Sequence, residues 1–322
     1  MVELGYALSS EEHMPNDLVR YAQQAEAVGF TFALISDHYH PWISEQGNSP
    51  FVWSVLGAIA HATDRLRVGT GVTCPTIRIH PAILPQASAT VAAMMPGRFF
   101  FGVGTGQNLN EHVVGLGWPP YDIRLEMLQE AIEVIRLLWQ GGNQSFWGKY
   151  YTVEDAQLFT LPAELPPLMV AVGGEKSATA AAKSGDGVIG VAPKKATIDT
   201  FKAEGGEGKP CYGQLTVCWA EDAKTARQLV HKQWPNSGMT GQLTQELRTV
   251  TFFEQAAEMV TEDQAVEHIV CGPDLDDYLE NLQKFTDAGY DHVYLHQIGP
   301  DQSGFFNFCQ RELFPNFQQQ QS

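Results

Sequence analysis

The chain has 322 residues, 44% hydrophobic and 18% charged, which is enough to bury a large core and unlike a disordered or fibrous sequence. A formal net charge of −17 argues against nucleic acid as a partner, because polyanions select basic surfaces, and it disfavours docking on anionic membranes. The cysteines Cys74, Cys211, Cys218, Cys271 and Cys309 are scattered without a C-x-x-C pair, so no disulfide framework or zinc site is indicated; with no leader pattern and no membrane-length apolar run, the expected setting is the cytoplasm.

Read in chain order, short apolar runs alternate with stretches of helical period. Leu4 to Leu8 reads as a strand, followed by a helix from Pro15 to Val28 that Gly29 stops. Thr31 to Ser36 is an apolar run suited to a strand buried on both faces. A helix over about 51–63 leads to a strand at Leu66 to Val72, and one near 81–95 leads to a strand at Arg98 to Val103. From Arg124 to Trp139, Leu125, Leu128, Ile132, Ile135 and Leu138 recur three or four apart, which predicts an amphipathic helix ended by Gly141-Gly142. The second half predicts strands at Leu168 to Val172, Gly187 to Val191, Cys211 to Trp219 and His292 to His296. Helices are predicted at Lys176 to Lys183, Ala223 to Gln233 and Asp274 to Ala288. This alternation predicts a closed parallel (β/α)₈ barrel, a TIM barrel, rather than an open sheet. The rhythm breaks near 141–167 and 234–269, read as insertions in the connections of one domain spanning 1–322. Within the later break, Trp234 to Val260 is expected to form helices over the barrel mouth and to shape the substrate pocket, although a plain surface insertion explains it as well.

In such a barrel the chemistry lies at the C-terminal ends of the strands. After the second strand, Ser36-Asp37-His38-Tyr39-His40-Pro41-Trp42 sets a carboxylate, two imidazoles and an indole together, suited to general acid–base work beside an aromatic wall. An isolated S-D-H reads better as a helix cap with exposed histidines; within the barrel rhythm, function is the better reading. Gly69-Thr70-Gly71-Val72-Thr73-Cys74 follows the third strand, and Gly102-Val103-Gly104-Thr105-Gly106-Gln107 follows the fourth. Their glycines do not make the dinucleotide fingerprint, but they would let a flat ring approach the backbone; tight turns explain them equally well. Gly173-Gly174, ahead of a helix, could hold an anion at the helix N-terminus, a weak signal alone.

Taken jointly and in order, S-D-H-x-x-P-W, G-T-G-V-x-x-P-T, G-V-G-T-G-x-x-L-N-E, L-W-x-G, A-V-G-G and G-D-G-V-I resemble the luciferase-like flavin barrel family over nearly the whole chain. Within it they most resemble the coenzyme F420-dependent branch typified by glucose-6-phosphate dehydrogenase. The resemblance implies a deazaflavin over the barrel mouth, with Asp37 and His38 at its reactive face. It implies a non-prolyl cis bond between Gly71 and Val72 supporting the ring, contacts to the ring from Thr105, Gly106 and Asn110, and Ala171, Val172, Gly173 and Gly174 along the phosphate tail. Cys74 falls where that branch has a threonine. His38 maps to the base that takes a carbinol proton as hydride leaves, Trp42 to a wall beside the developing charge, and Glu11 to an acid near the substrate.

Departures bear on the substrate. Gln107 replaces a glutamate that donates a proton to the cofactor, and a glutamine cannot titrate. Of three cations that hold a sugar phosphate in that branch, Lys194 keeps one, while Gln255 and Glu267 replace the others, so glucose 6-phosphate is not expected as substrate. The leading expectation is an F420-dependent oxidoreductase acting on a small neutral alcohol, ketone or activated alkene. The alternatives are an FMN-dependent oxidoreductase or monooxygenase and, from another class, a non-catalytic ligand-binding barrel. A homodimer is expected through apolar surfaces near Phe51 to Ile59 and Phe305 to Phe317, although core packing explains the same pattern.

Overall fold

Apolar runs too short for buried helices need cover on both faces, and a sheet closed on itself inside a ring of helices supplies it. The computed structural model describes residues 2–320. It turns the runs into parallel strands β1 (Glu3–Leu8), β2 (Phe32–Ile35), β3 (Arg67–Thr70), β4 (Phe99–Val103), β5 (Leu168–Ala171), β6 (Gly187–Gly190), β7 (Cys211–Cys218) and β8 (His292–Gln297). Each strand pairs with the next, and β8 returns to β1 in the register Glu3↔His292 to Tyr6↔Leu295. The (β/α)₈ barrel expected from the sequence is the fold observed.

The barrel interior is filled by Phe32, Leu34, Phe100, Met169, Ile189, Tyr212 and Tyr294. Phe100 stacks on Tyr212 with centroids 5.0 Å apart, and Phe32 meets Tyr212 edge-on at 5.2 Å. Glycines make room for these rings: a Cβ on Gly5 would meet the Phe32 ring, and one on Gly69 the Phe100 ring. Outside the strands, a second core locks the helices down, with Leu18, Leu56, Ile59, Ile132 and Ile135 fully or almost fully buried.

The helix Pro15–Val28 has its predicted bounds, and Gly29 ends it in a left-handed conformation (φ 114°) where its N–H still reaches the Ala25 carbonyl. The third-unit helix begins at Leu84 rather than near Pro81 because Pro85 occupies its first turn, where a missing N–H is harmless. The helix predicted from Arg124 begins earlier, at Tyr121, directly after Pro120. Several elements were not read from the sequence. They include an antiparallel hairpin (Gln144–Trp147 with Thr152–Ala156), the helix Lys195–Phe201 between β6 and β7, and the C-terminal helices Gln302–Phe308 and Phe314–Gln320. The hairpin is tied down by Glu130, whose carboxylate accepts the backbone N–H groups of Lys149, Tyr150 and Tyr151. Residues 234–269 contain the helices Leu243–Glu246, Val250–Ala257 and Glu262–Val266.

The apolar faces offered for a dimer are largely used inside the chain: Val52, Leu56, Ile59, Phe305, Phe306, Phe308 and Phe317 are buried, while Phe51 stays exposed.

Gly102 in β4 gives a direct test of barrel packing, because an added Cβ would fall on the Thr70 carbonyl oxygen and lie 2.8 Å from Ile189 Cδ1. A backbone atom of a neighbouring strand cannot swing away as a side-chain tip can. Gly102→Ala is expected to lower stability by about 3 kcal/mol, read as a lower denaturant midpoint at unchanged slope.

Candidate active site

The loop after β1 begins Ser9-Ser10-Glu11, and its glutamate turns inward rather than to solvent. Glu11 Oε1 lies 2.6 Å from His38 Nδ1, with the two side chains 3% and 9% exposed. The contact joins Nδ1 directly to the carboxylate and becomes an ion pair only when the imidazole is protonated. Ser36 Oγ donates to Glu11 Oε2 at 2.6 Å, and Ser9 Oγ donates to the same oxygen at 3.1 Å. Burial pushes the Glu11 pKa up, but the charge and contact of His38 and the Ser36 hydroxyl outweigh it and bring it down to about 2. Glu11 is therefore a carboxylate at neutral pH, able only to accept. A neutral His38 then carries its proton on Nδ1 and keeps the lone pair on Nε2.

Trp42 meets the His38 ring edge-on at 5.1 Å and is itself braced by Phe253 at 5.2 Å. Phe253 is fully buried on the helix Val250–Ala257 and packs with Ile43 and Leu109, so the 234–269 segment fixes the wall beside His38. His40, the other imidazole of the motif, turns away to the Leu109 carbonyl at 3.0 Å.

Asp37 is held by a buried cluster. Thr73 Oγ1 donates to Oδ2 at 2.8 Å, and Arg78 Nη2 donates to Oδ1 at 2.8 Å and to the Asp37 carbonyl at 3.2 Å. Arg78 also faces Glu111, whose Oε2 accepts the Arg78 backbone N–H at 2.8 Å. Burial raises the Glu111 carboxyl above its ordinary value although Arg78 pulls it down; Arg78 itself, despite burial, is held more basic by Asp37 and Glu111. The bond joining Gly71 to Val72 is cis, as the motif implied.

Two cavities meet along His38, Gly71, Gln107, Val191 and Tyr294. The deeper one, about 620 Å³ with its mouth, is lined by Glu11, His38, Trp42 and Gln107 together with Trp234 and His296. The longer trough, about 1480 Å³ with its mouth, runs over Asp37, Val72, Cys74, Thr105 and Gly106, then past Ala171, Val172, Gly173 and Gly174. Every site residue expected from the sequence lines one of these cavities except Asn110. Its Oδ1 accepts the backbone N–H groups of Tyr39 and His40 at 2.9 and 3.1 Å, so it clamps the loop that carries His38. Cys74 is buried, its Sγ 3.0 Å from Thr76 Oγ1, and burial pushes its thiol well up.

The trough fits a flat, elongated group. A Cβ on Gly173 or Gly174 would meet nothing within 4 Å, so this wall is bare backbone open to the cavity. At its far end the N–H groups of Gly173 and Gly174 already reach Ser177 Oγ at 3.1 and 3.2 Å. An anion there has to share or displace the serine.

Arg78, Thr73, Glu111, Trp234 and His296 were missed by sequence reasoning. A lone arginine between Ile77 and Ile79 in an acidic chain was the available signal for Arg78. Trp234 opens the segment expected to shape the pocket but was not singled out within it, and nothing local marks His296; both reach the site from distant elements. Lys194 lies at the trough's edge, donating to the Gly173 carbonyl at 3.3 Å, while Gln255 and Glu267 are exposed and line neither cavity.

A parallel eight-strand barrel with an acid–imidazole pair and a glycine-walled trough at its strand ends defines a class of cofactor-using barrel enzymes. The family model for luciferase-like monooxygenases matches residues 2–292, and the chain belongs to that family of oxidoreductases. The F420-dependent glucose-6-phosphate dehydrogenase of Segniliparus rotundus is 33% identical, covering 98% of this chain and 97% of its own length. A solved F420-dependent secondary alcohol dehydrogenase, in complex with an F420-acetone adduct, superposes with a TM-score of 0.91 at 29% identity, covering 98% of this chain and 99% of its own. The coenzyme F420-dependent tetrahydromethanopterin reductase from Methanopyrus kandleri shares the fold, with a TM-score of 0.78 at 22% identity and coverage of 98% and 99%.

The low Glu11 pKa has a consequence for stability. A carboxyl depressed from an ordinary 4.5 to about 2 stabilises the fold above the higher value, and that contribution is lost as pH falls through the lower one. Denaturant midpoints of the parent chain should drop steeply across this acid window. Glu11→Gln should be less stable at pH 7 but flatter below; equal slopes for the two would refute the assignment.

Proposed function

We propose that the chain transfers hydride between coenzyme F420 and a small neutral substrate, an alcohol or ketone or an activated alkene. The observation that carries the reading is the Glu11–His38 pair, whose ring lines both the deep cavity and the trough. When bound, the deazaflavin supplies a two-electron acceptor or donor of hydride. Gly71, Val72, Cys74, Thr105 and Gly106 would hold the ring, with Ala171 to Gly174 and Ser177 along its tail.

In the oxidising direction His38 Nε2 takes the carbinol O–H proton. The C–H bond gives up its electron pair as hydride, and the C–O bond becomes a carbonyl. Glu11 offsets the positive charge that develops on the imidazole, acting through its 2.6 Å contact with Nδ1. Trp42, held by Phe253, excludes water from that face. Asp37, fixed by Arg78 and Thr73, positions the loop and borders the trough rather than acting as a second base. In reduction the same proton returns from His38.

Glucose 6-phosphate lies outside this proposal. Among the described residues no lysine or arginine lines the deep cavity, and only Lys176 reaches the trough wall. A dianion in the deep cavity would face Glu11 without a cation to bind it. Gln107, uncharged between the two cavities, favours a second reading in which FMN is the resident ring system. The proposal includes a cytoplasmic, single-domain chain, supported by five free cysteines and by the absence of any described helix long and apolar enough to cross a membrane. It also includes a homodimer, to which the exposed Phe51 and Ile83 could contribute.

Parallel binding titrations with F420, FMN and NADPH discriminate the readings. F420 is expected to bind alone among the three; binding of FMN without F420 transfers the proposal to FMN, and failure of both removes it. With F420 loaded, His38→Ala should lower turnover by about 10²–10⁴-fold. Retention of full turnover would discard His38 as the base.

A further inference from the structure

The deep cavity holds a second copy of its own catalytic arrangement. Glu12, the residue after Glu11, turns the other way and meets His296 of β8, Oε2 to Nε2, at 3.3 Å with both side chains 6% exposed. Trp234 meets the His296 ring edge-on at 4.7 Å and 81°, much as Trp42 meets His38 at 5.1 Å and 83°. Both histidines and both tryptophans line the same cavity. Two successive glutamates thus anchor two histidines, each backed by an indole, around one space. The first set serves the proposed proton transfer. The second is buried and organised, and the reaction as written does not use it.

The chemistry of the second set follows from its partners. Burial pushes the Glu12 carboxyl up, but His296, His13 and Trp234 together hold it below its ordinary value. Its Oε1 also accepts the Gly299 N–H at 3.3 Å. A carboxylate cannot donate, so neutral His296 carries its proton on Nε2, and Nδ1 keeps a lone pair. Nδ1 makes no hydrogen bond to another described residue and is not among the buried polar atoms left unpaired, so it is the nitrogen open to the cavity. His38 has the mirror arrangement, with Nδ1 on its carboxylate and Nε2 free.

We propose that His296 is a specificity-determining residue whose Nδ1 accepts a hydrogen bond from a second hydroxyl of the substrate, and that the substrate class is therefore neutral diols and polyols or their hydroxyketones. Glu12 is the positioning residue that fixes the His296 tautomer. The proposal rests on reading the deep cavity as the substrate compartment of the oxidoreductase. An ether oxygen at the same place finds no donor on Nδ1, and a methyl group leaves the lone pair unpaired, so the site favours a hydroxyl over both.

Binding can be tested without cofactor or turnover, through the intrinsic fluorescence of Trp42 and Trp234. The full chain is titrated with cyclohexane-1,2-, 1,3- and 1,4-diol, and with the methylcyclohexanol and methoxycyclohexanol that replace one hydroxyl of each. At least one diol is expected to bind about tenfold more tightly than both of its analogues. His296→Phe should bring that ratio close to one, and His296→Leu serves if circular dichroism shows the phenylalanine variant unfolded. Glu12→Gln should narrow the hydroxyl-over-methoxy gap, because its amide can donate to Nε2 and so place the ring proton on Nδ1. No diol preference in the parent chain, or a preference that survives loss of the imidazole, overturns the proposal. A diol preference without F420 binding would leave this inference standing and remove the F420 reading; F420 turnover without diol preference would do the reverse.

Discussion

The buried contact between Glu11 and His38 is the constraint on which the rest of the site depends. A carboxylate removed from water is tolerated only if nearby groups replace its hydration. Here His38, Ser36 and Ser9 do so, drawn from the ends of β1 and β2. Those two strands lie side by side in the register Gly5↔Phe32 to Leu8↔Ile35, which brings the loops that follow them into contact. The barrel is thus what makes the pair affordable, and the pair in turn sets which imidazole nitrogen faces the cavity.

The same logic recurs beneath the trough. Asp37 is next in sequence to His38, yet it faces Arg78, Thr73 and Glu111 rather than the deep cavity. Neighbouring residues at a strand end point to opposite sides, so one serves the chemistry while the other anchors the backbone. Asn110 anchors the following turn by accepting the N–H groups of Tyr39 and His40. His38 is therefore presented from a loop pinned on both sides, the preorganisation that positioned proton transfer requires.

Much of this was legible in the chain. The apolar runs and glycine stops gave the eight strands close to their bounds, because period and buried length are local properties. The strand-end clusters named Asp37, His38, Trp42 and Gln107, and the family resemblance added Glu11; all of them border the two cavities. Tertiary partners were not legible. Arg78 answers Asp37 across 41 positions, and His296 meets Glu12 across 284. Such pairings come from the return of β8 to β1 and the packing of loops, neither of which leaves a periodic trace. The helix Lys195–Phe201 was missed for a related reason, since seven residues span too few turns for a period to emerge.

By itself the sequence determined the barrel, its strand order and the end of it at which chemistry resides, since strands buried on both faces and joined by helices admit few other closures. It also determined the residue types available there: acids, imidazoles, indoles and glycines, and few cations. Only the tertiary structure decided which acid meets which imidazole. Glu11 and Glu12 are indistinguishable as letters, yet one turns toward β2 and the other toward β8. The reason is geometric: β1 lies between those strands in the closed sheet, so the turn that follows it, which carries both glutamates, has one neighbour within reach on each side.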